Sequence, residues 1–131
     1  MILKTAWKQG SPHGYAGPFL LSATGFNASH FSDTARIWSA GLRLRRGWPE
    51  LPGAIGMCLW AAPLSRHSGS VSAWESAEAL RAFVNWAPHV EIMKEFRERG
   101  TIRARTWQAE AFTPRGLWQD AERRLLRATA P

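Results

Sequence analysis

The residues of this chain that could do chemistry are few, and their types and spacing narrow what that chemistry is. His89 directly follows Pro88. The pair reads as the start of a helical piece, where the helix dipole favours the neutral ring, and neutral imidazole is a base near pH 7. The alternative is a surface histidine beside a helix cap. Arg103 and Arg105 alternate with Ile102 and Ala104 along a strand-like stretch, which puts both guanidinium groups on the face of Trp107. Arginine there can hold a carboxylate or a phenolate. It can equally sit at a rim in water, or pair with Glu75 or Glu110. Trp60, Trp74 and Trp107 fall on three separate strand-like stretches. With Ser72 and Phe83 they could wall an apolar pocket, although Trp74 also suits a plain plug at its strand's end.

Other chemistries find no support in the residues. Cys58 is the single cysteine, has no histidine near it in sequence, and reads as an inert buried thiol. It excludes an intramolecular disulfide and a cysteine-rich zinc site. His13, His30, His67 and His89 show no metal-ligand spacing, and Asp33 and Asp120 are the only aspartates. No glycine-rich phosphate loop, nucleophile elbow or metalloprotease motif is present.

Those residues need elements to position them. The stretch 69–75 alternates Val71 and Ala73 with Ser70, Ser72 and Trp74, the period of a strand with two unlike faces. Ser76 is a good helix N-cap, with Glu78 in the first turn. Leu80, Phe83, Val84 and Ala87 follow at helical spacing until Pro88 interrupts. A second helical piece carries Val90, Met93 and Phe96 and ends at Gly100. Upstream, residues 19–26 predict a strand with Leu20, Ser22, Thr24 and Phe26 on one face. Asn27 or Ser29 then caps a helix over residues 30–44, striped by Phe31, Ala35, Trp38 and Leu42. Residues 54–62 predict a strand with Ile55, Met57, Leu59 and Ala61 on one face and Gly56, Cys58 and Trp60 on the other. Residues 101–110 alternate again, and Thr113-Pro114 opens a terminal helix. Residues 2–7 suit a short strand and residues 9–17 a loop.

Strand, helix, strand, strand, helix, strand is the ferredoxin-like, split βαβ order. The expectation is one α+β domain over residues 1–131, with a core at about 18–110, an antiparallel sheet with helices on one face, and an extra C-terminal helix at about 113–128. The second sheet face has no cover within that core. Its expected occupants are Phe26, Trp60, Trp74 and Trp107, mixed with Ser22, Thr24, Ser72, Arg103 and Arg105. So aromatic a face does not stay in water. It packs on a second copy or under the terminal segments, and a homodimer through the sheet face is expected.

The net charge of +7 comes from 17 basic and 10 acidic side chains. The basic residues are spread out, and the tightest groups, Arg43, Arg45 and Arg46, then Arg123, Arg124 and Arg127, read as solvated helix faces. Basic and aromatic residues do not interleave on one exposed face, so nucleic acid is not an expected partner. No apolar stretch is long enough to span a bilayer and no signal peptide is evident, so the expected location is the cytoplasm, away from membranes.

The run from Ser70 to Val84, SVSAWESAEALRAFV, with Ala87, Pro88, His89 and Met93 behind it, resembles the antibiotic biosynthesis monooxygenase-like superfamily. The resemblance implies a ferredoxin-like domain that dimerises sheet to sheet as a dimeric α+β barrel. It also implies a monooxygenase-like protein that acts on an aromatic or polyketide-like compound without metal or flavin. The electron-rich substrate itself reduces oxygen in a dry aromatic pocket. In that reading His89 and Arg105 are catalytic, and Trp60, Ser72, Trp74, Phe83, Arg103 and Trp107 bind a small aromatic or anionic ligand. The haem-degrading branch departs from this chain: Phe83 stands in place of its helix tryptophan, and Ile92 and Met93 in place of its histidine. A non-catalytic dimeric ligand-binding or interaction module of the same fold is the alternative function.

Overall fold

The computed structural model describes residues 2–12 and 14–127. The chain runs β1 (Leu3–Lys4), β2 (Lys8–Gln9), β3 (Phe19–Ala28), α1 (Phe31–Arg46), β4 (Ala54–Ala62), β5 (His67–Trp74), α2 (Ala77–Val84), α3 (Ala87–Phe96), β6 (Gly100–Ala109) and α4 (Pro114–Glu122). A π-helical turn, Arg123–Arg127, continues α4. His13, and the helix end expected at residue 128, lie outside the described residues.

Among the described residues, six strands make one antiparallel sheet in the order β1-β4-β5-β3-β6, with β2 pairing along the same edge of β4 as β1. The inner order β4-β5-β3-β6 is that of the ferredoxin-like fold, an α+β arrangement with an added C-terminal helix. Local chemistry sets the helix starts. The Ser76 hydroxyl oxygen accepts the Ala79 N–H at 3.1 Å, and the Thr113 hydroxyl oxygen accepts the Gly116 N–H at 3.0 Å. Pro88 lies in the first turn of α3, where a missing N–H leaves no helical bond unmade. Helix α1 differs from expectation. Asn27 stays in β3, and the cap position is His30, with no side-chain capping bond. Asp33, in the first turn, instead takes a bond from Arg99 Nη1 at 3.2 Å and lies 3.6 Å from Arg36 Nη1, which ties α1 to the turn after α3.

The sheet has two buried faces. On one, Leu20, Phe26, Met57, Leu59 and Trp74 pack against α1, α2 and α3. On the other, Leu21, Ala23, Cys58, Trp60, Val71 and Ala73 pack against Leu117 and Ala121 of α4 and Leu125 of the π-helical turn. Trp107 and the N-terminal Trp7 complete that second layer. Cations clamp it from outside, with Arg124 lying 4.2 Å from the Trp107 ring and Lys4 4.9 Å from Trp118.

Two expectations are corrected here. The residues assigned to one uncovered face belong to two. Phe26, Ser22, Thr24, Ser72 and Trp74 point towards α1–α3, whereas Trp60, Trp107, Arg103 and Arg105 point towards α4. Strand pairing decides this: Ser22 is opposite Ser72, which is opposite Met57, while Trp107 is opposite Leu21. In addition, a bulge between Ala54 and Gly56 shifts the register of β4, so Ile55 joins the layer under α4 rather than that of Met57 and Leu59. The face expected to meet a second copy is therefore occupied by α4 and the N-terminal segment of the same chain.

Candidate functional site

Between the sheet and α1–α3 lies a cavity of about 130 Å³. Its deep wall is an aromatic cluster that centres on Phe83. That ring lies 5.2 Å from Trp74, 5.7 Å from Trp48 and 4.6 Å from the imidazole of His89, centroid to centroid. Trp48 and Trp74 meet edge to face at 4.9 Å. At the rim sit Met93 and Ile102, the latter 51% exposed.

One wall is polar. Ser68, Ser70 and Ser72 alternate along β5 and all face the cavity, with Thr24 of β3 opposite Ser70. The Trp74 indole N–H donates to the Ser72 hydroxyl oxygen at 2.8 Å, a bond buried in the core. The Ser72 hydroxyl hydrogen remains free to donate, and the bond it accepts strengthens it as a donor. Thr24 and Ser70 share a hydrogen bond of 2.8 Å, so this pair also keeps one hydrogen to give. Trp48 is 1% exposed, and its indole Nε1 has no hydrogen-bond partner among the described residues. A buried donor without an acceptor costs free energy, which a ligand oxygen would relieve.

His89 closes the helix side of the cavity. Its Nδ1 lies 3.0 Å from the Val84 carbonyl oxygen. A carbonyl only accepts, so Nδ1 carries the hydrogen and Nε2 of the neutral ring keeps its lone pair. Burial lowers the pKa of His89 below its ordinary value, and the Val84 bond opposes this only in part. The ring is thus a neutral base at pH 7.

Of the residues proposed from sequence, His89, Ser72 and Phe83 line this cavity, and Trp74 supports it from below, fully buried. The others face the α4 side, Arg103, Arg105 and Trp107 from β6 and Trp60 from β4. Arg105 is exposed and donates to the neighbouring Ala104 carbonyl oxygen at 3.0 Å. Arg103 donates to the Leu125 carbonyl oxygen at 3.1 Å. Trp60 and Trp107 pack in the layer under α4. The sequence reading did not single out Trp48, Ser68 or Ser70. The serines were legible as an alternating run, while Trp48 sits in a Gly- and Pro-rich loop that reads as a connection. Cys58 is buried under α4, and desolvation pushes its thiol up to about 11, so it stays protonated and inert at neutral pH.

Among the described residues, no group of three His, Cys, Asp or Glu side chains converges as metal ligands would, and no helix is long and apolar enough to cross a membrane. No family model matches the chain, and no curated protein matches it. Solved structures do. SnoaB, a cofactor-independent oxygenase from Streptomyces nogalater, is 14% identical, with a TM-score of 0.61 over 75% of this chain and 99% of its own. A candidate antibiotic biosynthesis monooxygenase from Deinococcus radiodurans is 12% identical, with a TM-score of 0.62 over 72% and 96%. A candidate monooxygenase from Lactobacillus acidophilus is 11% identical, with a TM-score of 0.63 over 79% of this chain. This chain spans about half the length of that protein, 48% of it. Identities this low carry the architecture and no more: the chain has the ferredoxin-like fold shared with the antibiotic biosynthesis monooxygenase-like proteins.

Proposed function

We propose that the cavity between the sheet and α1–α3 binds a small phenolic compound and oxidises it with molecular oxygen, in the manner of a cofactor-independent monooxygenase. The observation that carries this reading is the opposition of two kinds of group across one aromatic cavity. The bare Nε2 of His89 stands on the helix side, and the donors Ser72, Thr24–Ser70 and Trp48 stand on the sheet and loop side. The base takes the phenolic proton, and the donors stabilise the oxyanion that forms. The resulting phenolate is rich enough in electrons to reduce oxygen.

With α-naphthol the step balances as naphthol plus O₂ giving naphthoquinone plus water. One oxygen atom enters the ring carbon para to the hydroxyl, which loses its hydrogen. The other oxygen leaves as water, and the substrate supplies all four electrons. Size favours a compact phenol over a large polyketide, since a cavity of roughly 150 Å³ is known to hold one benzene ring, and a second fused ring would reach the open rim at Met93 and Ile102. Arg103 and Arg105 are not part of this site, since they stand on the other sheet face.

The test is oxygen consumption with α-naphthol, followed by quinone absorbance. His89→Ala should lower kcat by about 10²- to 10⁴-fold, the usual contribution of a general base. Saturable binding without oxygen uptake would replace this reading with that of a non-catalytic ligand-binding module.

A further inference from the structure

A second cavity, of about 270 Å³, opens on the opposite side of the sheet, beside α4. Its floor is Gly25 of β3, in register with Gly69 of β5, against which the Trp60 indole packs. A Cβ on Gly69 would meet the Thr24 carbonyl oxygen and the Trp60 indole nitrogen. A Cβ on Gly25 would lie 3.6 Å from the Trp60 ring and 3.7 Å from a Leu125 methyl, within the space the cavity needs. Trp60 and Leu125 supply its apolar wall.

Each polar residue of the lining carries at least one donor. Trp60 is 1% exposed, and its indole Nε1 has no hydrogen-bond partner among the described residues. Arg103, opposite Gly25 on β6, spends one Nη1 bond on the Leu125 carbonyl oxygen. A guanidinium has five N–H groups, so the rest of its fork remains available. Asn27, Thr101 and His67 complete the ring, and no carboxylate is among the described residues that line it.

We propose that this cavity is a second binding site, separate from the His89 cavity, for a small organic carboxylate whose apolar body lies on Trp60 and Leu125. The fork geometry of Arg103 matches a carboxylate. The charge balance points the same way. Burial first, then the charges of Arg103 and Arg66, lower the pKa of His67, so its ring is neutral at pH 7 and Arg103 is the one full charge among the described lining residues. One cation suits a monoanion better than a phosphate dianion.

The test is an NMR titration of the full chain with benzoate, and in parallel with inorganic phosphate, read at the Trp60 indole N–H. That signal is assigned among the eight tryptophans by its loss in Trp60→Phe. Benzoate should give a saturable shift, and Arg103→Gln should weaken it by about tenfold or more, as for loss of a charge-assisted bond. Arg103 also holds the end of the terminal helix, so Thr101→Asp provides the variant that leaves packing alone. It sets a carboxylate at an exposed rim position and should weaken benzoate to a similar extent. No saturable shift with benzoate, equal affinity in wild type and Thr101→Asp, or a response to phosphate alone would each overturn the proposal.

Discussion

At the scale of the residue, His89 shows how a single backbone bond prepares a side chain. The Val84 carbonyl is freed because α2 ends there, and it takes the Nδ1 hydrogen at 3.0 Å. Ring orientation and tautomer follow together. Because burial lowers the pKa of the folded ring below 6.5, the unfolded chain takes up a proton first as the pH falls. Its contribution to stability is complete above 6.5 and is lost as the pH drops through the folded pKa. His67 is lowered from the same value and acts with the same sign. Urea midpoints measured from about pH 7.5 down to about pH 5 should therefore fall, in the range where histidine titrates. His89→Gln should flatten part of that slope, and a variant with an unchanged slope would place the proton uptake elsewhere.

At the scale of the element, α4 is the piece that distinguishes this chain from a bare ferredoxin-like core. Thr113 and Pro114 start it, and Leu117, Ala121 and then Leu125 seal it onto the sheet. Leu117 is 1% exposed, so Leu117→Ala removes buried methyl groups and leaves a void. The expected cost is about 2–5 kcal/mol. Leu64, 84% exposed, is the matched control, and Leu64→Ala should stay within about 0.5 kcal/mol. Chemical denaturation of both variants compares them directly, and similar losses would mean that α4 is not packed as described.

At the scale of the whole molecule, the question is what covers the second sheet face. A ferredoxin-like sheet with helices on one side leaves the other side apolar, and a second copy is one way to bury it. Here the chain uses its own terminal helix and N-terminal segment. Trp60, Leu21 and Val71 are each at most 1% exposed without any partner. Light scattering at micromolar concentration should therefore report a monomer for the full chain. Removing the residues from Thr113 onwards should uncover this layer and drive self-association. A full-length dimer of unchanged helix content would show that pairing uses another surface, or that α4 moves aside to admit a second copy.

The sequence by itself determined the core elements from β3 to α4 and their order, while the short β2 pairing with β4 was not legible in it. Ser76, Pro88 and Thr113-Pro114 act through bonds within a few residues, and the alternation of Ser70 with Val71, or of Arg103 with Ile102, is a property of one strand. Such short-range physics is fully written in the chain, and it also put Phe83, Ser72 and His89 near one another in the run from residue 70 to residue 93. Only the tertiary structure decided which face of each strand meets which face of the next. Alternation has a period of two, so it sorts the residues of one strand into two sets without saying how those sets align across a sheet. Pairing made that choice: Ser22 with Ser72 on one side, Trp107 with Leu21 on the other, and a bulge in β4 that carries Ile55 across. As a result Trp60 and Trp107 are parted from Trp74, and Arg103 and Arg105 from His89. The same holds for Trp48, in a 3-10 helical turn after α1, whose place beside Trp74 and Phe83 arises only when α1 and α2 close over the sheet.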